Sequence, residues 1–186
     1  METPFTSTPT RGLPPSSYQS GNDFRAFMGA FPTGVAVVTS RDADGQPYGL
    51  TCSSLSSVTL DPPTLLVCLR HNAGGALSVV LSTGSFAVNL LHDGAQPMAE
   101  LMARTAPDRF SQLNWRPSPR LGMPWLSGDV HAAAECRVSG TLVRGDHTVV
   151  FGEVVGTENR DGQPLLYGFR RFSGWRSETR PNGRGL

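Results

Sequence analysis

The chain has 186 residues, enough for one domain with a real hydrophobic core, and a formal net charge of +1. That balance excludes charge-driven binding to nucleic acid or to an anionic membrane. All 16 basic residues are arginine, which excludes a lysine Schiff base and leaves any bound phosphate to arginine, hydroxyls or backbone N–H groups.

Residues 1–20 are rich in Pro, Ser and Thr and read as a flexible tail. No basic-then-apolar signal opens the chain and no apolar stretch nears transmembrane length, so the expected compartment is the cytoplasm. Asn22 or Asp23 is expected to cap a short helix, with Phe24, Phe27, Met28 and Phe31 on one face. Pro32 and Gly34 end it. Strands are predicted over 35–40 and 48–52, joined by the turn Asp42-Ala-Asp-Gly45.

Next comes Thr51-Cys-Ser-Ser-Leu-Ser-Ser-Val-Thr-Leu-Asp-Pro-Pro63. Small hydroxyl residues crowd its first half, where a strand would favour β-branched and aromatic side chains. Two readings fit. One is a plain serine-rich hairpin. The other is a backbone held open for a flat polar ligand, with N–H, C=O and hydroxyl groups side by side.

Strands over 58–60 and 65–69 flank Asp61-Pro-Pro63. A helix is predicted over 73–82, a strand over 86–91, and a helix over 96–104. A long hairpin of 135–143 and 148–157 turns at Arg144-Gly-Asp-His147, and the last strand is 165–169. Residues 176–186 form a second polar tail, which leaves 21–175 as one unit without an internal repeat. Many short strands and few helices predict a mainly β fold, a closed or nearly closed antiparallel barrel.

Cys52, Cys68 and Cys136 are odd in number and widely spaced, so they read as buried free thiols in a reducing compartment. There is no G-x-G-x-x-G after a strand, no Walker A motif and no G-x-S-x-G elbow. The four histidines show no metal-ligand spacing and paired carboxylates are absent. An enzyme built this way takes its hard chemistry from a borrowed cofactor.

With the segment from Thr51 to Pro63, the runs Phe31-Pro-Thr-Gly-Val-Ala-Val-Val-Thr39, Pro63-Thr-Leu-Leu-Val-Cys-Leu69, Phe86-Ala-Val-Asn-Leu-Leu91 and Arg144-Gly-Asp-His-Thr148 stand in an order that resembles the flavin reductase family. These are the reductase partners of two-component flavin monooxygenases. The resemblance covers about residues 23–175. It implies the FMN-binding split barrel, antiparallel and Greek-key-like, with NADH or NADPH passing hydride to FMN or FAD, a monooxygenase component receiving reduced flavin, and a homodimer. It assigns Thr51, Cys52, Ser53 and Ser54 to the flavin ring edge, largely through backbone groups, with Ser57 and Val58 nearby. Pro32 and Thr33 match a turn beside the ring. Cys68, Leu69 and Arg70 match the strand end beside the phosphate. His147 matches the histidine that meets the nicotinamide, and Phe110, in Ala106-Pro-Asp-Arg-Phe110, matches a segment reaching toward the flavin.

Tyr167, Arg170, Arg171 and Phe172 are expected near the same site, and Trp115 and Trp125 in packing roles. The chain departs from the family at Ser53, where an asparagine is common. Two other functions stay open at this stage: an oxidoreductase with a fixed flavin, and a flavin binder without turnover.

Overall fold

The structure, a computed structural model, describes residues 20–71, 74–106 and 108–175. Both expected tails fall outside these residues apart from Ser20. In chain order the elements are α1 (Gly21–Gly29), β1 (Thr33–Gly34), β2 (Ala36–Arg41), β3 (Pro47–Cys52), β4 (Leu55–Leu60), β5 (Pro63–Arg70), α2 (Ala76–Thr83), β6 (Ser85–Leu91) and α3 (Gln96–Ala103). A 3₁₀ turn (Arg109–Gln112) follows, then β7 (Trp115–Pro117), β8 (Pro124–Leu126), β9 (Val130–Arg144), β10 (His147–Asn159), β11 (Leu165–Gly168) and β12 (Arg171–Gly174).

Seven strands form one antiparallel sheet in the order β3-β2-β6-β9-β10-β5-β4, while β1-β11-β12 and β7-β8 form smaller sheets. The jumps from β2 to β6 and from β5 to β10 give the Greek-key character. β3 and β4 follow each other in the chain yet stand at opposite edges of the sheet. No ladder joins them. Instead the Ser54 hydroxyl donates to the Cys68 carbonyl and accepts from the Cys68 N–H, both at 3.1 Å. This stitch holds the β3–β4 corner against β5, so a side chain rather than a ladder bridges the open edge of the split barrel.

Strand alternation sets the core. Val38, Cys52, Leu69, Phe86, Val88 and Val150 point into the barrel, and Val80 of α2 packs with them. On the other face of β2, Val35 and Val37 lie with Met98 and Met102 of α3 and with Leu165. β2 is therefore buried on both sides, which explains its unbroken apolar run. Glu135, fully buried, accepts from the Ser118 hydroxyl at 2.5 Å and the Leu121 N–H at 2.8 Å, and so pins the proline-rich segment before β8.

The expected barrel and its main strands are present, with differences at the edges. Ser20, rather than Asn22 or Asp23, caps α1. Its hydroxyl accepts from the Asp23 N–H and donates to the Asp23 carboxylate. Phe24, Phe27 and Met28 share a face of α1 as predicted, while Phe31 lies beyond the end of the helix at Gly29. Nothing among the described residues buries that face, since Phe27 is 72% exposed and no residue of α1 is buried. β4 begins at Leu55, three residues before the predicted strand, because serines can pair in a ladder as well as line a loop. α2 begins at Ala76; the start of the predicted helix at Ala73 lies outside the described residues. β7, β8 and β12 were not predicted, since strands of three or four residues beside prolines carry too little periodicity to read.

Candidate functional site at the split of the barrel

Two adjoining cavities open at the β3–β4 corner. One, of about 530 Å³, runs between α1 and the corner and is lined by Arg25, Phe31, Thr33, Ser53, Ser54 and Arg170, among others. The second, of about 440 Å³, lies between β3, α3 and β12, with Thr51, Ala103, Arg104 and Phe172 in its wall. Ser53 and Tyr167 line both. Pairing of Thr33 with Tyr167 across β1 and β11 brings the Phe-Pro-Thr-Gly turn to this corner. Pro32 packs against Gly168, where an added Cβ would lie 3.2 Å from Pro32 Cα. The rings of Tyr167 and Phe172 stand 5.0 Å apart and tilted, which gives the corner an aromatic wall.

The structure thus gathers Pro32, Thr33, Thr51, Ser53 and Ser54. It also sorts which of their atoms are free. The Thr51 hydroxyl donates to the Ala99 carbonyl of α3 at 2.6 Å. Cys52 Sγ points into the barrel, and burial pushes its thiol pKa up. The Ser54 hydroxyl is committed to Cys68. The hydroxyls of Thr33 and Ser53 have no partner among the described residues, and Ser53 is the one of the two that faces both cavities. The side chain of Leu69 is fully buried in the barrel, so only its backbone reaches outward. Ser57 and Val58 sit further along β4, on its exposed edge at a β-bulge, and line neither cavity.

The second cluster is the tip of the β9–β10 hairpin. Gly145, at φ 57°, makes the turn that a side chain would disfavour. The Asp146 carboxylate accepts from His147 Nδ1 at 2.8 Å and lies 3.3 Å from Arg70 Nε. The His147 hydrogen bond, aided by the charges of His147 and Arg70, holds the Asp146 carboxyl below its ordinary value. Register places His147 opposite Arg70 of β5. The ring of His71 meets the Thr148 hydroxyl at 3.0 Å. Cys68, which anchors Ser54, is two residues from Arg70 along β5, or roughly 7 Å. Corner and tip therefore share one end of the barrel.

Phe110 is not brought to this corner. It sits in the 3₁₀ turn, packed against the core under α3, and lines a third cavity of about 630 Å³ with Tyr48, Arg109 and Trp115. Arg109, buried there, escaped the sequence reading because nothing in its spacing marks an arginine as buried. Trp125 is buried, with the Arg116 guanidinium 5.0 Å over its ring, which fits a packing role.

The sequence matches the flavin reductase like domain over residues 28–176. It is 49% identical over 164 residues to the flavin reductase (NADPH) of Lentzea aerocolonigenes, covering 88% of this chain and 95% of that protein. It is 44% identical over 163 residues to the flavin reductase (NADH) of Kitasatospora aureofaciens, covering 87% and 85%. Among solved structures, the NADH:FAD oxidoreductase SgcE6 of Streptomyces globisporus C-1027, in complex with NAD and FAD fragments, matches with a TM-score of 0.77 at 30% identity, over 87% of this chain and 94% of that one.

Proposed function

The chain belongs to the flavin reductase family, and from that premise we propose that it is an NAD(P)H:flavin oxidoreductase that supplies reduced flavin to a partner monooxygenase. It takes hydride from NADH or NADPH and passes it to FMN or FAD. The observation that carries this reading is the open corner at Ser53. An unpartnered hydroxyl, an aromatic wall and two adjoining cavities stand within one end of a split barrel, beside a hairpin tip that presents a histidine.

The residues fit a flavin. When bound, the flavin supplies the hydride acceptor, and such a transfer needs little acid–base help. The Ser53 hydroxyl and the backbone of 51–54 hold the polar ring edge. Thr33, Tyr167 and Phe172 wall the ring and exclude water. Arg25 and Arg170, which have no acidic partner among the described residues, add positive charge to the same cavity. Arg70 is half-committed to Asp146, and its remaining guanidinium nitrogens serve the phosphate. His147, with its Nδ1–H held by Asp146, presents Nε2 outward to the nicotinamide carboxamide. The two relatives are named for different nicotinamides, so the family as such leaves the donor open.

A second copy covers the apolar face of α1 and the edge of β4, where Leu60 is 90% exposed. The enzyme works as a homodimer in the cytoplasm, as three free cysteines support. Residues 21–175 carry the activity, with 1–20 and 176–186 outside the domain. The test is steady-state oxidation of NADH and NADPH in air by the purified chain, with and without FMN. Oxidation that rises and saturates with added flavin is expected. Oxidation independent of added flavin favours a fixed cofactor, and no oxidation with either donor contradicts the reading.

A further inference from the structure

The third cavity, on the far side of α3 from Ser53, has no role in the reading above. Its most unusual feature is Arg109. This side chain is 8% exposed, and no carboxylate pairs with it among the described residues. Nε donates to the Ala106 carbonyl at 3.1 Å and Nη1 to the Met102 carbonyl at 2.9 Å. Nη2 is left over and turns toward Gly74, where an added Cβ would lie 3.2 Å from it. The bond to Met102 caps the end of α3 and the bond to Ala106 holds the loop after it, but a surface arginine could do both without being buried. Burying a guanidinium without a counter-charge is costly; the two carbonyl bonds offset part of that cost, and an anion at Nη2 would offset more.

The surroundings say which kind of anion. Tyr48, Phe110 and Trp115 give aromatic faces for a flat ring, while Arg109, Thr105 and the backbone at Gly74 give polar groups; the Asp108 side chain also lines the wall, without an ion pair to Arg109. Gly74 also stands just before α2, whose N-cap Gly75 makes no side-chain cap, so the positive end of that helix adds to the field. The cavity beside Ser53 ends at Ala103 and Arg104, and this one begins at Thr105 and Ala106. The two adjoin around the end of α3.

We propose that the Arg109 cavity is the subsite for the adenosine diphosphate half of a dinucleotide, with Arg109 on the phosphate and Tyr48, Phe110 and Trp115 around the base. The inference rests on the flavin reductase reading, and both FAD and NAD(P)H carry this moiety. The probe is ADP itself, titrated calorimetrically into the full chain. Thr105→Glu places a carboxylate beside Arg109 at an exposed position. Arg109→Leu removes the charge directly, with its folding checked by circular dichroism.

ADP is expected to bind the natural chain and to bind either folded variant at least about tenfold more weakly. FMN lacks the adenosine half and serves as the control. A loss of FAD affinity in Thr105→Glu with unchanged KM for NADH assigns the subsite to FAD. A raised KM for NADH at saturating FMN with unchanged FAD affinity assigns it to the nicotinamide dinucleotide. ADP that fails to bind the natural chain, or binds Thr105→Glu equally well, overturns the proposal even if flavin reduction proceeds. ADP binding lost in both variants, in a chain that reduces no flavin, keeps the subsite and overturns the reductase reading instead.

Discussion

Asp146 links two side chains of the proposed site at once, binding His147 Nδ1 at 2.8 Å and standing 3.3 Å from Arg70 Nε. Its carboxyl is held below the ordinary aspartate value, chiefly by the His147 hydrogen bond. A depressed carboxylate contributes its contacts above its ordinary pKa and loses them as pH falls through the lowered one. The carboxylate contacts at the tip are therefore kept throughout neutral pH and are lost only in acid, below the ordinary aspartate range. His147→Ala is expected to lower kcat/KM for NAD(P)H by about 10- to 100-fold with FMN affinity unchanged. In the same variant the Asp146 carboxyl, followed by carbon NMR, moves back up toward an ordinary aspartate. Unchanged kcat/KM would remove His147 from the nicotinamide side. Gly-Asp-His was legible as a turn that projects a histidine, whereas the tie from Asp146 to Arg70 was not, because it forms only once β5 and β10 pair. Nor could the sequence separate Ser53 from Ser54. They are chemically identical neighbours, and the opposite directions of their side chains decide that one faces the cavities while the other stitches the barrel.

At the scale of elements, alternation and turn residues made most of the barrel readable, including the β9–β10 hairpin and its tip. What escaped were pieces with too few residues to show a period: β1, β7, β8, β12 and the 3₁₀ turn that carries Arg109 and Phe110. The strands also hold a detail that alternation hides. Gly152 lies at a register shift between β9 and β10, and an added Cβ would overlap the Phe86 ring and approach Cys136 Cβ to 3.0 Å. Both neighbours are fully buried, so the core has nowhere to move. Gly152→Ala is expected to destabilise the protein by roughly 1–3 kcal/mol through overpacking, seen as a lower Tm. A Tm equal to that of the natural chain would mean that the barrel interior is looser than its geometry states.

For the whole molecule, the apolar face of α1 was legible from spacing alone, but its destination was not. Periodicity says that a face is apolar without saying which surface covers it. Among the described residues nothing does, and Phe27 and Leu60 stay exposed, as the proposed homodimer requires. As a flavin reductase the protein reduces flavin and lets it go. The most direct measurement is anaerobic, with a small amount of protein, excess FMN and excess NADH or NADPH, counting equivalents of flavin bleached per protein chain. Many equivalents of FMN reduced per chain is the result expected of a reductase that feeds a separate monooxygenase. Bleaching that stops at one equivalent, or does not occur, would contradict it.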